Sequence, residues 1–458
     1  MNGYRVSPVS PGEVNPSRLV CVKLMCMVLL VVSLGGAVSG EVTWPQFRGP
    51  GAMGTAENPA LPESWGSTKN VAWKVPIAGM GWSCPVVWGG RIFLTTAISD
   101  GAVEKVKQGL YFGGERKAPK AGHAWHVLCL DLETGKTLWD KTVHRGVPSH
   151  ARHLKNSYAS ETALSDGERV YAYIGNVGLF TFDLDGKELW SRKWKPVRTR
   201  HGWGTAASPV LHRDRIYLLN DNDEQSFLTA LDKKTGEVIW KKNREEPSNW
   251  SPPFVWENKQ RTEIVTTGSG KVRSYNLDGE VLWTLGGLSS ITVTSPFAKD
   301  DLLYFGSGYV GDRKKPLFAV KPGARGDISL GPEETSNAFI AWCQKRAASY
   351  MPTPVLYRDR LYVLLDRGML SCYDAKTGAA IYEKQRLGPS GQFTASPLAY
   401  NGKLFCFGER GETVVVEAGD TFKLLGRHEL GELIMATPAI AGDSLLIRTV
   451  RHLHCIRK

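Results

Sequence analysis

A ten-residue pattern recurs along the chain and sets its architecture. It reads LDLETGKTLW at residues 130–139, LDKKTGEVIW at 231–240 and YDAKTGAAIY at 373–382. Shorter versions are FDLDGKELW at 182–190 and YNLDGEVLW at 275–283. A unit that returns this often in 458 residues predicts a repeat protein in which every unit is one small supersecondary element.

The pattern predicts a strand, a tight turn and a second strand. Residues 227–231 are apolar and β-branched, as a buried strand requires. Asp232 can accept hydrogen bonds from the amides just ahead of it, and Gly236 can take the positive φ of a hairpin turn. Residues 237–240 restart a strand and end in an indole, which we expect to pack between neighbouring sheets.

A second recurring piece lies upstream of each hairpin and consists of Ser or Thr, then Pro, then two short strands. Ser208-Pro209 and Thr353-Pro354 are examples. Further units begin at Pro85, Pro252, Pro296, Pro397 and Pro438, and one unit carries Thr162-Ala163 instead. These make eight units. Two strands plus a hairpin give four antiparallel strands per unit, which is one blade of a propeller.

The residues that end the repeats support this count. Seven aromatic residues occupy that place, and we expect them to dock neighbouring blades: Trp73, Trp139, Trp190, Trp240, Trp283, Trp342 and Tyr382. Their spacings are 66, 51, 50, 43, 59 and 40 residues, so the wide gaps predict insertions in blades one and five. Leu425 takes the same place in the next unit. Too few residues follow it for four more strands.

The sequence therefore predicts an all-β fold, an eight-bladed β-propeller of four-stranded antiparallel blades over residues 70–458. An outer strand around residues 70–77 has no blade of its own. We expect it to complete the C-terminal blade and close the ring, which removes the open sheet edges.

Residues 1–40 have the pattern of an export signal. Arg18 and Lys23 precede an apolar run at 24–34, and small residues follow at 35–40. The run is short for a membrane span. We expect cleavage near residue 40, an extended segment at 41–69, and a location in the periplasm or outside the cell.

Charge and cysteines place few further limits on function. The net charge is +12, and basic residues cluster at 105–120 and 313–315. Solvated loops account for such clusters, and no nucleic-acid-binding module is present. Six of the eight cysteines follow residue 40 and none forms a C-x-x-C, so we expect small buried residues and assign no disulfide. We expect a monomer whose partner is an unidentified protein or small molecule, with the cell envelope as a peripheral partner.

The A/L-x-D/N-x-x-T-G-K-x-x-W pattern resembles the repeat of the quinoprotein propellers. These include pyrroloquinoline quinone (PQQ) alcohol dehydrogenases and the propeller lipoprotein of the bacterial outer-membrane assembly complex. The WPQFRGP sequence at 44–50 resembles the opening motif of exported PQQ-like propellers in planctomycetes and related bacteria. The resemblance covers nearly all of residues 70–458. It implies the propeller fold, and fold alone does not fix the chemistry.

The resemblance implies PQQ as a cofactor only if the chain carries the family's oxidation machinery. Those enzymes use a catalytic Asp, a Ca²⁺ or lanthanide ion, and a ring of two adjacent disulfide-bonded cysteines against the quinone. This chain has no Cys-Cys pair, and its acidic residues fall mostly in turns. We therefore predict no catalytic residue from the sequence. In the PQQ alternative, Trp82, Arg200, His201 and Trp203 would surround the cofactor.

The segments before the inner strands of a propeller meet around its central channel. In this chain they are rich in aromatic and hydrogen-bonding residues, which predicts a ligand site at the channel mouth. The predicted residues are Trp82, Ser83, Asn156, Tyr158, Arg198, Arg200, His201, Trp203, Asn249, Trp250, Tyr350, Gln392 and Phe393. Arg198, Arg200 and His201 would hold an anionic group. The alternative is that the aromatic residues simply plug the channel.

Three histidine pairs suggest metal sites, namely His123/His126, His150/His153 and His452/His454. Zinc sites need three or four convergent ligands, and the sequence identifies no third ligand for any pair. We therefore predict no metal site. No G-x-S-x-G elbow of a serine hydrolase is present either.

These features favour an exported, non-catalytic propeller that acts as a ligand- or protein-binding scaffold. Two alternatives stay open: a periplasmic PQQ-dependent oxidoreductase, and a carbohydrate-binding propeller that uses its ring of aromatic residues.

Overall fold

The computed structural model describes Gly3, residues 41–388 and residues 391–458. The predicted export signal therefore lies, apart from Gly3, outside the described residues. Within the described part, no helix has the length and apolar character needed to cross a membrane.

The strands of residues 41–458 follow the predicted order. The N-terminal segment contains β1 (Thr43–Trp44), β2 (Thr55–Ala56) and β3 (Val71–Pro76). Blade one has β4 (Val86–Trp88), β5 (Arg91–Ser99), β6 (His123–Asp131) and β7 (Thr137–Gly146). Blade two has β8 (Leu164–Ser165), β9 (Arg169–Ile174), β10 (Gly178–Asp183) and β11 (Glu188–Lys193). Blade three has β12 (Val210–His212), β13 (Arg215–Asn220), β14 (Ser226–Asp232) and β15 (Val238–Arg244). Blade four has β16 (Phe254–Glu257), β17 (Thr262–Thr267), β18 (Lys271–Tyr275) and β19 (Val281–Gly286).

The remaining blades continue in the same way. Blade five has β20 (Phe297–Lys299), β21 (Leu302–Gly306), β22 (Leu317–Val320) and β24 (Ile340–Gln344), with β23 (Gly326–Asp327) in an insertion. Blade six has β25 (Val355–Tyr357), β26 (Arg360–Leu365), β27 (Met369–Asp374) and β28 (Ala380–Arg386). Blade seven has β29 (Leu398–Tyr400), β30 (Lys403–Phe407), β31 (Glu412–Glu417) and β32 (Leu424–Glu429). The last blade has β33 (Ala439–Ala441), β34 (Ser444–Arg448) and β35 (His452–Ile456). Two 3₁₀ turns lie at Pro50–Ala52 and Arg200–Gly202.

These strands form eight antiparallel blades, and the N-terminal strand β3 closes the ring. The last blade has the order β3-β35-β34-β33, with Trp73 opposite Cys455. Three short strands extend other blades: β1 pairs with β4, β2 pairs with β29, and β23 pairs with β19. The predicted eight-bladed propeller and its closure by an N-terminal outer strand are confirmed.

The repeated hairpin works as the sequence predicts. Asp232 Oδ1 accepts the backbone N–H groups of Lys234 and Thr235, each at 2.8 Å, and Gly236 has φ +73°. Gly236 has a second role, because a Cβ atom there would lie 2.4 Å from the ring of Trp190 in the preceding blade. Each repeat glycine thus shapes its own turn and leaves room for the indole of its neighbour.

The indoles of five blades also donate a hydrogen bond to the turn of the next blade. The Nε1–H of Trp190 reaches the carbonyl oxygen of Lys233 at 3.2 Å. The equivalent bonds run from Trp73 to Leu132, Trp139 to Leu184, Trp240 to Leu277 and Trp342 to Ala375, at 2.8–3.1 Å. Ring packing and a satisfied N–H together dock one blade on the next.

Two positions differ from this arrangement. Trp283 is fully buried and donates to Glu263 Oε2 at 2.6 Å in its own blade, because an insertion at 321–339 replaces the short turn of blade five. Our assignment of Leu425 to the docking place is wrong. The turn of blade seven is one residue longer than that of blade three, which puts Gly426 opposite Val415, and Leu425 is 40% exposed. Trp65 of the N-terminal segment packs against His428 on this strand instead, with ring centroids 4.6 Å apart.

The recurring Ser/Thr residues form a hydrogen-bonded belt between blades. Thr353 Oγ1 accepts the backbone N–H of Ser295 at 3.0 Å, and Ser396 Oγ accepts that of Thr353 at 3.0 Å. Similar bonds join Ser396 to Thr437, Thr162 to Ser208 and Cys84 to Thr162. A hydroxyl is needed at this place because the inner N–H groups are buried and require an acceptor.

We expect Thr353→Val to lower the free energy of unfolding by about 1–3 kcal/mol. Valine keeps the volume but leaves the buried N–H of Ser295 without its acceptor. The exposed Thr137→Val is the matched control and should stay within about 0.5 kcal/mol of the wild type. Urea unfolding measures both, and equal midpoints for the two variants would contradict the belt.

The 44–50 motif folds into the inner side of the ring. Arg48 is fully buried and donates to the carbonyl oxygens of Thr353 and Pro354 in blade six, both at 2.8 Å. It also donates to those of Ala52 and Met53, which fixes its own loop. The neighbouring Phe47 lines the cavity at the centre of the propeller. The motif is therefore a structural clasp between the N-terminal segment and the blades.

Candidate functional site at the channel mouth

A cavity of about 530 Å³ lies where the segments that precede the inner strands meet. All eight blades contribute to its wall, in chain order through Trp82, Asn156, Trp203, Trp250, Val293, Tyr350, Thr394 and Met435. Two loops complete it, residues 109–112 of the blade-one insertion and residues 309–311 of blade five. The aromatic residues therefore surround open space as well as filling the channel.

The aromatic side chains of the wall contact one another at ordinary ring distances. Trp203 lies between His153 and Trp250, with centroids 5.1 and 5.9 Å away. On the other side Tyr309 and Tyr350 meet edge to face at 5.2 Å. Burial holds the pKa of Tyr350 far above its usual value, so its hydroxyl stays protonated. The site offers flat apolar faces with a few polar edges, which suits a ligand with rings.

The blade-one insertion, residues 100–122, lies across the mouth of this cavity. Its Tyr111 stacks on His153 at 5.1 Å, and its Gly114 carbonyl accepts the indole N–H of Trp203 at 3.2 Å. Gly113 allows this approach, since a Cβ there would lie 2.2 Å from His153. Phe112 contacts Trp203 and yet remains 63% exposed. An exposed phenylalanine beside a cavity is an apolar surface available to a ligand.

Glu409 of blade seven anchors the tip of the insertion. Its side chain is 1% exposed and lies 2.5 Å from Lys155 Nζ. It accepts the backbone N–H of Gly109 at 2.8 Å and the hydroxyl of Thr394 at 2.7 Å. Blade one, blade two and blade seven are therefore joined through one buried carboxylate.

The structure brings some of the predicted site residues to the cavity and places others elsewhere. Those in the wall are Trp82, Asn156, Trp203, Trp250 and Tyr350. Those outside it are Ser83, Tyr158, Arg198, Arg200, His201, Asn249, Gln392 and Phe393. Ser83 and Phe393 point into the blades and are 0% and 1% exposed. Asn249 holds the loop before blade five, since its Oδ1 accepts the N–H of Thr292 at 2.9 Å.

The three cationic residues that we expected to hold an anion do not line the cavity. Arg198 is exposed, and Arg200 donates to the Ser290 carbonyl at 3.4 Å. His201 pairs with Glu115 of the insertion. The insertion thus covers this side of the mouth. No pattern in the sequence predicts that the insertion packs there.

A second cavity of about 700 Å³ adjoins the first and is strongly cationic. The two share Leu110, Val310 and Arg367. Its wall carries five basic residues: Arg313, Lys315, Arg346, Arg367 and Lys384. Among the described residues none of them forms an ion pair, whereas the two carboxylates of the same wall accept backbone N–H groups: Asp366 those of Tyr350 and Met351 at 2.9 Å, and Asp312 that of Ser290. This concentration of unpaired cations favours an anionic group.

His153 is the histidine that lines the channel-mouth cavity. Burial, together with the positive charges of Lys155, Arg116 and Arg152, lowers the pKa of His153 to about 4. Its Nδ1 accepts the backbone N–H of Lys155 at 3.1 Å, so the neutral ring carries its proton on Nε2. At pH 7 the residue is an uncharged hydrogen-bonding group.

We expect stability to fall as the pH drops from about 6.5 to about 4, in part because of His153. The unfolded chain binds a proton at this residue over that interval while the folded chain does not, so stability is greatest above it. His153→Asn keeps an acceptor for the Lys155 amide and removes the titration. Urea unfolding at several pH values should therefore show a smaller loss for the variant, and equal losses would contradict the assignment.

The cavity wall supplies little for catalysis. Among the described residues no Asp or Glu side chain lines it. Burial raises the pKa of the Cys84 thiol to about 11, so this wall residue is not a thiolate at pH 7. The six cysteines of the described part are buried and unpaired. This wall of the described chain therefore offers neither a carboxylate base nor a carboxylate ligand for Ca²⁺ or a lanthanide ion, so its residues do not fit the chemistry of a PQQ dehydrogenase site.

Comparison with known proteins agrees with the architecture. The family model described as outer membrane protein assembly factor BamB matches residues 123–285 and, in an overlapping match, residues 175–323. No curated protein sequence matches the chain.

Solved propellers share the fold at low sequence identity. BamB from Moraxella catarrhalis is 10% identical, with a TM-score of 0.52 over 80% of this chain and 99% of its own. A europium-containing methanol dehydrogenase is 12% identical, with a TM-score of 0.57 over 90% of each chain. A quinohemoprotein alcohol dehydrogenase from Comamonas testosteroni is 12% identical, with a TM-score of 0.56 over 90% of this chain and 80% of its own.

At such identities a structural match establishes the fold alone, and the likeness of the 44–50 motif to planctomycete propellers stays a resemblance of sequence. The repeat, the eight closed blades and the family match nevertheless agree with one another. Together they support a PQQ-like β-propeller, whose residues 123–323 are similar to the family of outer membrane protein assembly factor BamB.

Proposed function

We propose that this chain is an exported, non-catalytic propeller that binds a small anionic ligand at the channel mouth. The observation that carries the proposal is the pair of adjoining cavities, one lined by aromatic residues and the other by unpaired cations. A ligand with a flat ring system and one or more acidic groups would match both. The export signal expected at residues 1–40 and the envelope proteins among its relatives support a location outside the cytoplasm.

The aromatic cavity favours a small ligand over a flat protein interface. The cavity is concave, and loops from blades one and five extend over it. Trp203 and Trp250 would stack on a ring, and Phe112 would cover its exposed face.

The basic residues of the cationic cavity indicate that the ligand is anionic. Arg313, Arg346 and Arg367 present guanidinium groups that can bind carboxylate, sulfate or phosphate oxygens in pairs. Their exposure means that the attraction is screened by salt, so binding should weaken as the ionic strength rises. The proposed anion site therefore lies at these residues and not at Arg198, Arg200 and His201, where the sequence predicted it.

A fluorescence titration tests the proposal, because Trp203 and Trp250 lie in the site. Suitable probes are PQQ, which is a planar tricarboxylate, an oligosaccharide of uronic acids, and its neutral counterpart. We expect an acidic probe to change the emission saturably and the neutral one to bind more weakly. Trp203→Ala should weaken binding by about tenfold or more, and the Arg313→Gln/Arg346→Gln pair by roughly tenfold.

Matched controls separate the site from general effects. Lys136→Gln/Lys187→Gln removes the same charge from exposed turns of other blades and should leave binding unchanged. Absence of saturable binding by either acidic probe, or wild-type affinity in Trp203→Ala, would overturn the proposal. Dye-linked alcohol or sugar oxidation in the presence of PQQ and Ca²⁺ would replace it with the oxidoreductase alternative.

A further inference from the structure

A separate cluster of metal-binding side chains lies where the ring closes. Strand β35 carries His452 and His454, whose side chains share one face because residues two apart point the same way. Glu432 reaches them from the connection between β32 and β33. We propose that Glu432, His452 and His454 form a Zn²⁺ site that fastens this connection to the last blade.

The three side chains already converge. His452 Nδ1 lies 2.8 Å from Glu432 Oε1, and one donor atom of each residue lies within 4.8 Å of the other two. Ligand atoms bound to one Zn²⁺ at about 2 Å in a tetrahedron are roughly 3.3 Å apart. Small rotations of the two imidazole rings are enough to reach that spacing.

His454 provides the independent observation that points to a ligand. It is 2% exposed, and neither of its ring nitrogens has a hydrogen-bond partner within the described part of the chain. A buried imidazole without any partner costs about 1–3 kcal/mol, and such groups require an explanation. Coordination of a metal ion by one nitrogen supplies it.

In this structure the ammonium group of Lys74 lies next to the Glu432 carboxylate. Its Nζ lies 3.0 Å from Glu432 Oε1, and on β3 it stands opposite His454 in the strand pairing. The Lys74 side chain is 39% exposed, so its ammonium group can swing into solvent when a divalent ion arrives. Glu432 would exchange one cation for another.

The donor set selects the metal. Two imidazoles and one carboxylate suit Zn²⁺, while Ca²⁺ and Mg²⁺ prefer six or more oxygen ligands. The side chain of His452 is 25% exposed, which leaves an open side for water as the fourth ligand. The sequence alone identified the two histidines as a pair. The fold adds Glu432, which lies 20 residues before His452, as the third ligand.

Calorimetric titration of the purified chain, with any histidine tag removed, tests this site directly. We expect one Zn²⁺ per chain with micromolar or tighter affinity, a rise in melting temperature on binding, and no comparable binding of Ca²⁺. His454→Gln should weaken Zn²⁺ binding by about 100-fold or more. Lys74→Met should strengthen it by roughly tenfold, because it removes the competing cation.

The two variants shift affinity in opposite directions, so a loss of folding cannot imitate the result. His144→Gln, on outer strand β7, is the control and should bind like the wild type. Absence of Zn²⁺ binding by the wild type would overturn the proposal, as would unchanged affinity in His454→Gln. The cluster lies outside both channel-mouth cavities, so this test is independent of the proposed ligand.

Discussion

Arg48→Met is expected to lower the free energy of unfolding by about 3–5 kcal/mol. Arg48 is fully buried and, among the described residues, makes no ion pair. Its charge is balanced by carbonyl oxygens, including those of Thr353 and Pro354 at 2.8 Å. Burial lowers the pKa of Arg48 to about 9, which still leaves the guanidinium charged at pH 7. Methionine would fill the space and leave these oxygens without donors.

Urea unfolding measures the effect, and two further variants define its cause. Arg48→Lys should recover only part of the loss, because one ammonium group cannot reach carbonyls of both blade six and the N-terminal loop. Arg386→Met removes an exposed arginine from β28 and should change stability by less than about 0.5 kcal/mol. If Arg48→Met were as stable as Arg386→Met, the clasp would have no energetic role.

The second large effect is expected at the buried pair of Lys155 and Glu409. Lys155→Met should cost about 3–5 kcal/mol, because it leaves the Glu409 carboxylate in a buried site without its counter-charge. The amide of Gly109 and the hydroxyl of Thr394 would remain as its partners. The same change should loosen the blade-one insertion, whose tip is attached to this carboxylate.

Two measurements separate stability from local order. In urea unfolding, Lys155→Met/Glu409→Gln should be more stable than Lys155→Met alone, since no charge is left unpaired. Trypsin should cleave the lysine- and arginine-rich insertion faster in Lys155→Met than in the wild type. Additive losses in the double variant, or an unchanged cleavage rate, would mean that Glu409 does not anchor the insertion.

The scaffold was predictable because its determinants are local. Asp232 and Gly236 define a turn within five residues, and the Ser/Thr-Pro pieces upstream of the hairpins gave the number of blades. The closing strand followed from the count as well. The error at Leu425 came from the turn of blade seven, which has one residue more than that of blade three: Val416 pairs with Leu424, whereas Leu231 pairs with Val238. One extra residue moves every later side chain to the other face.

The candidate site was predictable only where it lies on the repeats. Trp82, Trp203, Trp250 and Tyr350 directly precede inner strands, and topology alone brings them to the channel. The insertion at 100–122 has no such rule, and its contact with Glu409 joins residues 300 positions apart. For the same reason the sequence did not show that Glu115 of this loop pairs with His201, where we expected an anion-binding group.

The central claim is that ligand binding takes place at the channel mouth and not on the repeated turns. Hydrogen–deuterium exchange, with and without the tightest-binding probe of the fluorescence titration, tests it most directly. The account predicts slower exchange at residues 109–112, 309–311 and around Arg367, with unchanged exchange in the outer turns at 134–136 and 234–236. Protection confined to the outer turns or to the segment before residue 70 would contradict it.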